Sequence, residues 1–105
     1  MAYLDVYPNP NKASAGQLPY LVEIQSDLLG ALPTTVVIPL GLPGVVEHTP
    51  VLRLNPALAL DGTQYILMTQ ELSAIIRRQL KPCLGNLASH RNEVIAALDF
   101  LFTGY

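Results

Sequence analysis

The sequence predicts an α+β domain in which several short strands precede one C-terminal helix. Three patterns support this prediction: alternating side chains at 3–7 and 20–25, a strongly β-prone run at 34–40, and an apolar stripe with helical spacing near the end of the chain. The 105 residues suffice for one hydrophobic core, so we expect a single domain over 1–105.

The first two predicted strands form an antiparallel pair. Residues 3–7 alternate in character and then meet Pro8 and Pro10, whose fixed φ and missing N–H end a strand. Residues 20–25 alternate again, and the polar segment 9–17 connects the two strands.

A short helical turn is predicted after the second strand. Ser26 and Asp27 offer side-chain oxygens to the following amides, which favours a turn through Leu28 and Leu29. The run 34–40 is apolar on both faces, so it should be a central strand.

A second hairpin is predicted around the Asp61-Gly62 turn, with strands at 57–60 and 65–69. The following segment, 70–80, is ambiguous. Its leucine and isoleucine spacing favours a helix, whereas residues 74–76 could also enter a strand.

The last element is a helix from His90 to Thr103, about 20 Å long. Ser89 is a suitable N-cap, Glu93 suits the positive end of the helix dipole, and Gly104 stands where a helix would end. The predicted apolar stripe consists of Leu87, Val94, Ile95, Leu98, Leu101 and Phe102.

The composition favours a homodimer. Half of the residues are hydrophobic and 13% are charged, so a lone domain of this size would expose much apolar surface. The net charge of −2 disfavours direct binding to nucleic acid, which depends on neutralising phosphates.

The chain is expected to be cytosolic and not membrane-bound. Its one cysteine, Cys83, cannot form an internal disulfide and is predicted to be structural, and the N-terminus shows no export signal. The uncharged run 28–46 is interrupted by prolines and glycines, which would break a membrane-spanning helix.

No pattern typical of a catalytic or cofactor site is present. His48 and His90 lack a second metal ligand at a suitable spacing, no serine stands in a nucleophile-elbow motif, and no glycine-rich phosphate loop follows a strand. We therefore expect no metal, no cofactor and no catalytic residue.

Three segments in chain order resemble the CcdB family of toxins: LVEIQSDLL at 21–29, TVVIPL at 35–40 and SHRNEVIAALDFLFTGY at 89–105. A weaker likeness covers 58–73. The resemblance implies a homodimer of small, partly open antiparallel barrels of the CcdB and MazF type, similar to Src-homology-three domains, with a minor sheet and a C-terminal helix. It also implies that the chain continues as a strand after Ser73.

The resemblance implies a non-enzymatic toxin of a type II toxin–antitoxin system, as used in plasmid maintenance. Members of the family bind the A subunit of DNA gyrase and trap the complex in which DNA is cleaved. A CcdA-like antitoxin neutralises them with a flexible segment that orders on binding.

The resemblance also assigns partner-binding residues. The last three positions, which carry the poisoning activity in the family, are Thr103, Gly104 and Tyr105 here. Thr103 replaces the family's usual tryptophan and Tyr105 its usual isoleucine. Contacts with gyrase or antitoxin are implied for Ser26, Leu28, Leu29 and Asp99, although the two leucines fit core packing equally well.

Two other functions remain open from the sequence. A MazF-like ribonuclease would need Arg53, Arg77, Arg78 or Arg91 to converge on a basic groove, whereas Arg77 and Arg78 are better explained as a solvated edge. A nontoxic relative would bind only the antitoxin.

Overall fold

The computed structural model describes residues 3–44 and 53–104. Those residues contain seven strands, four short 3₁₀ turns and one α-helix, which confirms the predicted mainly β, α+β class. The strands are β1 (Asp5–Pro8), β2 (Tyr20–Glu23), β3 (Thr34–Gly41), β4 (Ala57–Leu60), β5 (Thr63–Leu67), β6 (Ser73–Ile76) and β7 (Gly85–Asn86), and the helix α1 is Arg91–Thr103. The 3₁₀ turns are Asp27–Leu29, Thr69–Glu71, Arg77–Gln79 and Ala88–His90.

The strands form one antiparallel sheet in the order β4-β5-β3-β2-β1-β7, with β6 joined to β3. Strand β3 organises the sheet because one of its edges pairs with β2, while the other pairs first with β6 and then with β5. The sheet closes nearly into a barrel, which confirms the partly open barrel that the resemblance implied.

The Asp61-Gly62 turn forms as predicted and joins β4 to β5 by a two-residue connection. Asp61 has a φ of 51° and Gly62 a φ of 81°, so both central residues lie in the left-handed region. This geometry matches the twist of paired strands, and Asp-Gly tolerates it well.

The main core lies between one face of the sheet and α1. The helix buries Val94 and Ala97 in it. Tyr20 and Tyr65 pack edge to face with centroids 5.3 Å apart, consistent with their predicted role in strand packing. The other buried members of this core are Leu4, Val6, Val22, Ile38, Leu40, Leu58, Leu67 and Leu87.

A second, smaller core lies on the opposite face of the sheet. Tyr7, Leu21 and Val37 come from the first three strands, and Leu80 covers them after the chain has left β6. The segment 73–80 therefore closes this face. Its helical pattern was misleading: the segment is strand β6 followed by a 3₁₀ turn, as the resemblance implied. Pairing with the exposed edge of β3 decides the conformation here, overriding the local spacing.

Two details of the helix differ from the predictions. Ser89 is not the N-cap, because it lies within the 3₁₀ turn Ala88–His90 and α1 begins at Arg91. The Asn86 side chain caps that turn instead, by accepting a hydrogen bond from the Ala88 amide at 2.7 Å. Phe102 belongs to no core, because it is 70% exposed.

The uncharged run beginning at Leu28 forms a turn, strand β3 and another turn as far as residue 44. No helix in the described parts of the chain is long and apolar enough to cross a membrane.

Candidate functional site

The turn after β2 presents two leucines to solvent. The Ser26 hydroxyl accepts a hydrogen bond from the Leu28 amide at 3.2 Å, which confirms the predicted cap. The Asp27 carboxylate accepts one from the Tyr3 amide at 2.6 Å and so ties the turn to the N-terminal segment. Leu28 is 94% exposed and Leu29 is also exposed, so neither leucine serves the core.

The end of α1 forms a second exposed group. Asp99 lies on the exposed side of the helix, and its carbonyl oxygen accepts a hydrogen bond from the Thr103 hydroxyl at 2.6 Å. Gly104 has a φ of 81° and donates its amide to the Phe100 carbonyl at 3.0 Å, which ends the helix as predicted. Tyr105 lies outside the described residues.

The two groups lie apart. Ser26 and Asp27 share a cleft of about 420 Å³ with Arg91, in the first turn of α1. Thr103 lies twelve residues further along the helix, about 18 Å away at 1.5 Å per residue. The structure therefore brings Ser26, Leu28 and Leu29 together at one end of α1, and Asp99, Thr103 and Gly104 at the other.

Both ring nitrogens of His90 make contacts that hold the fold together. Its Nε2 accepts the Ala59 amide at 3.3 Å and its Nδ1 lies 2.6 Å from a Glu93 carboxylate oxygen. Both ring nitrogens are thus engaged, and the side chain links β4 to the start of α1. Within residues 3–44 and 53–104 no group of histidine, cysteine and acidic side chains could hold a metal ion; His48 lies outside those residues.

Cys83 lies on the surface and its thiol donates a hydrogen bond to the Gly85 carbonyl at 3.4 Å. It cannot form a disulfide within the chain, because the sequence has one cysteine.

The interpretation of Arg77 as a solvated edge residue is wrong. Its Nη1 lies 2.6 Å from Glu23 Oε2, and the Thr35 hydroxyl donates to the same oxygen at 2.7 Å. Glu23 is 2% exposed. Burying a carboxylate requires a compensating cation, and the turn after β6 supplies one.

The four arginines do not converge on one groove. Arg77 and Arg78 line the same depression, whereas Arg91 lines the cleft beside Ser26. Arg53 stacks over the Phe100 ring, 4.9 Å from its centroid. This distribution does not provide the basic groove that a ribonuclease of the MazF kind would require.

The buried cluster around Tyr7 was not predicted from the sequence. The Tyr7 hydroxyl lies 3.5 Å from an Asp5 carboxylate oxygen. Burial, followed by the negative charges of Asp5 and Glu23, raises the pKa of Tyr7 above its ordinary value of 10.0. Burial likewise raises the pKa of Tyr65. The sequence feature that could have indicated this cluster is Glu23, a charged residue whose neighbours along the strand are apolar.

Comparison with protein-family models gives a match over nearly the whole chain. A family model described as CcdB protein matches residues 3–104 of the 105-residue chain. No curated protein matches the chain.

Proposed function

The chain belongs to the CcdB family of toxins from toxin–antitoxin systems, and on this premise we propose that it binds the A subunit of DNA gyrase and stabilises the state in which gyrase holds cleaved DNA. A CcdA-like antitoxin neutralises it. The toxin acts by binding and performs no bond-making step of its own.

The observation that carries this proposal is the exposure of Leu28. A leucine that is 94% exposed contributes no packing energy to the fold, yet the Ser26 side chain caps the turn that carries it. Apolar side chains carried by a capped turn are suited to contact with another protein, because little backbone freedom is lost on binding. We assign Ser26, Leu28 and Leu29 to a surface that meets gyrase or the antitoxin.

The end of α1 supplies the other part of the proposed surface. Thr103 and Gly104 are exposed at the helix terminus, next to the exposed Asp99. We assign Thr103, Gly104 and Tyr105 to gyrase and Asp99 to gyrase or the antitoxin. In a twofold dimer each contact would occur twice against a twofold enzyme, so few residues per chain suffice.

Deletion of residues 103–105 tests this assignment. The purified deletion variant should keep its thermal unfolding transition but no longer cause gyrase to accumulate cleaved, protein-linked DNA, and its expression should no longer inhibit growth. Undiminished cleavage or toxicity with the deletion variant would contradict the assigned site.

A matched pair of leucine variants tests the turn. Leu28→Asp should weaken gyrase inhibition on the order of tenfold, as expected when an apolar anchor is lost from an interface. Leu84→Asp is the control, since Leu84 is also exposed but lies between β6 and β7. Equal effects of both variants would argue against a specific role for the turn.

The ribonuclease alternative is tested by incubating the purified protein with RNA. RNA cleavage without any effect on gyrase would favour that alternative.

A further inference from the structure

A depression of about 610 Å³ lies between the segment after the 27–29 turn and the segment after β6. Leu32 and Ile76 line it and are 47% and 42% exposed. Pro33, Leu80 and Pro82 extend its apolar wall. We call this feature the 32/76 groove. It offers apolar surface that this chain does not itself cover, which is typical of a binding site.

The 32/76 groove also carries two uncommitted cations. Arg78 and Lys81 both line it, and neither forms a salt bridge or hydrogen bond within the described part of the chain. The groove's own acid, Asp5, accepts a hydrogen bond from the Asn86 side chain at 2.9 Å. Arg77 is committed to Glu23. Because the Asn86 amide is neutral, Asp5 keeps its negative charge, and the two positive charges of Arg78 and Lys81 against this one negative charge leave the groove net positive.

We propose that the 32/76 groove binds an acidic, aliphatic peptide segment of a partner protein. Its aliphatic side chains would pack against Leu32 and Ile76, and its carboxylates would pair with Arg78 and Lys81. An extended segment fits an open groove with an apolar wall, and charge-assisted pairs with guanidinium and ammonium groups would fix its position.

Two other occupants fit less well. A nucleic acid would leave the apolar wall unused and would meet a chain whose net charge is −2. A second copy of the chain, docked about a twofold axis through the groove, would place Arg78 and Lys81 against their own equivalents. The peptide alone satisfies both the apolar wall and the cations.

This inference goes beyond the proposed gyrase contact, since the groove contains none of the residues assigned to that contact. The groove begins immediately after the exposed leucines, however, because Gly30 and Leu32 follow the 27–29 turn. A bound segment would therefore lie beside the proposed gyrase surface. Binding to the groove can be measured without gyrase, so the two proposals can fail separately.

Fluorescence anisotropy with three labelled synthetic peptides tests the proposal on the full chain. The peptide ELDELLDE should bind at least about tenfold more tightly than KLKKLLKK, which reverses the charges, and than ESDESSDE, which removes the aliphatic groups. Equal affinities for the three peptides, or no binding of ELDELLDE, would overturn the proposal.

Charge reversal locates the site. Arg78→Glu combined with Lys81→Glu should weaken ELDELLDE binding at least about tenfold, whereas Arg91→Glu, in the separate cleft beside Ser26, should not. All three positions are exposed, so the variants should unfold at the same temperature as the parent protein. Binding that is insensitive to the double reversal would refute the groove as the site.

Cys83 provides an independent reporter, because it is the only cysteine and lines the groove. Bound ELDELLDE should slow alkylation of Cys83 by iodoacetamide, and KLKKLLKK should not. Alkylation at an unchanged rate with the acidic peptide bound would place that peptide elsewhere on the protein and overturn the proposal.

Discussion

Glu23 is the residue whose surroundings differ most from what its chemistry alone suggests. It lies on the smaller-core face of β2, with Oε2 bonded to both Arg77 and Thr35. Its Oε1 is buried with no hydrogen-bond partner among the described residues. A buried carboxylate is tolerated only while its cation stays in place, so the turn after β6 is linked energetically to the middle of the sheet.

Removing the cation alone should therefore be costly. We expect Arg77→Met to lower the free energy of unfolding by about 3 kcal/mol, because an uncompensated carboxylate would remain in the second core. Urea unfolding followed by circular dichroism measures this loss.

The double variant Glu23→Gln with Arg77→Met is the control. Glutamine removes the charge and still accepts the Thr35 hydroxyl, so most of the lost stability should return. A double variant as unstable as the single one would mean that lost packing, rather than the unpaired charge, causes the effect.

Tyr7 should make stability depend on alkaline pH. Its pKa in the folded chain lies above the ordinary 10.0, so the folded state disfavours ionisation. The stability linked to this group is fully present below pH 10.0 and is lost as the pH rises beyond that value, where the unfolded chain ionises first. The free energy of unfolding, measured in urea across this range, should fall less steeply for Tyr7→Phe. Parallel pH profiles for the two proteins would contradict this expectation.

At the scale of elements, α1 is defined by its two ends. At its start, Asn86 bonds to the Ala88 amide and His90 joins Ala59 to Glu93, so side chains outside the helix set its first residue. At its end, Gly104 adopts the left-handed conformation that stops the helix. The exposed group at Asp99 and Thr103 depends on this termination.

Gly104→Ala should lower the free energy of unfolding by about 1 kcal/mol, because alanine is strained at a positive φ. A Cβ at this position would meet no other atom within 4 Å, so the backbone alone should cause the cost. Thermal or urea unfolding measures it. Gly104→Asn is the matched control and should cost less, since asparagine tolerates the left-handed region. Equal losses would argue against this explanation.

At the scale of the whole molecule, apolar surface is left uncovered at several places. Leu28 and Leu29 are exposed in the turn after β2, Phe102 is exposed near the end of α1, and Leu32 and Ile76 are exposed at the 32/76 groove. Exposed aliphatic and aromatic side chains in this number favour association. We therefore keep the prediction that the chain forms a homodimer, with the ends of α1 near its axis.

Sedimentation equilibrium at micromolar concentration should give twice the mass of the chain. Phe102→Glu should raise the dimer dissociation constant on the order of tenfold or more, as expected for an aromatic side chain lost from an apolar contact. Leu84→Asp should leave it unchanged. A parent protein with the mass of one chain would contradict the dimer.

Much of the fold could be predicted from the sequence because several elements depend on local chemistry. Alternation placed β2, the β-prone run placed β3, and Asp61-Gly62 placed the β4–β5 hairpin. Segment 70–80 could not be assigned in this way. Its residues meet both the helical spacing and the strand pattern, and only pairing with β3 selects the strand.

The residues that we propose for partner contact were assigned by a different route. The likeness of segments 21–29 and 89–105 to the CcdB family named Ser26, Leu28, Asp99 and their neighbours, whereas no local pattern distinguished them from core or surface residues. The sequence could not show that the leucines are exposed or that they lie far from the end of α1, because both properties depend on the tertiary structure.

The sequence by itself determined the mainly β class, the Ser26 cap, the Asp-Gly hairpin and the helix end at Gly104, since each follows from interactions among residues close in the chain. Tertiary structure alone decided the pairing of Glu23 with Arg77, the strand at 73–76 and the 32/76 groove. These features join residues far apart in sequence. Their energies depend on burial and pairing geometry, which exist only once the sheet has closed.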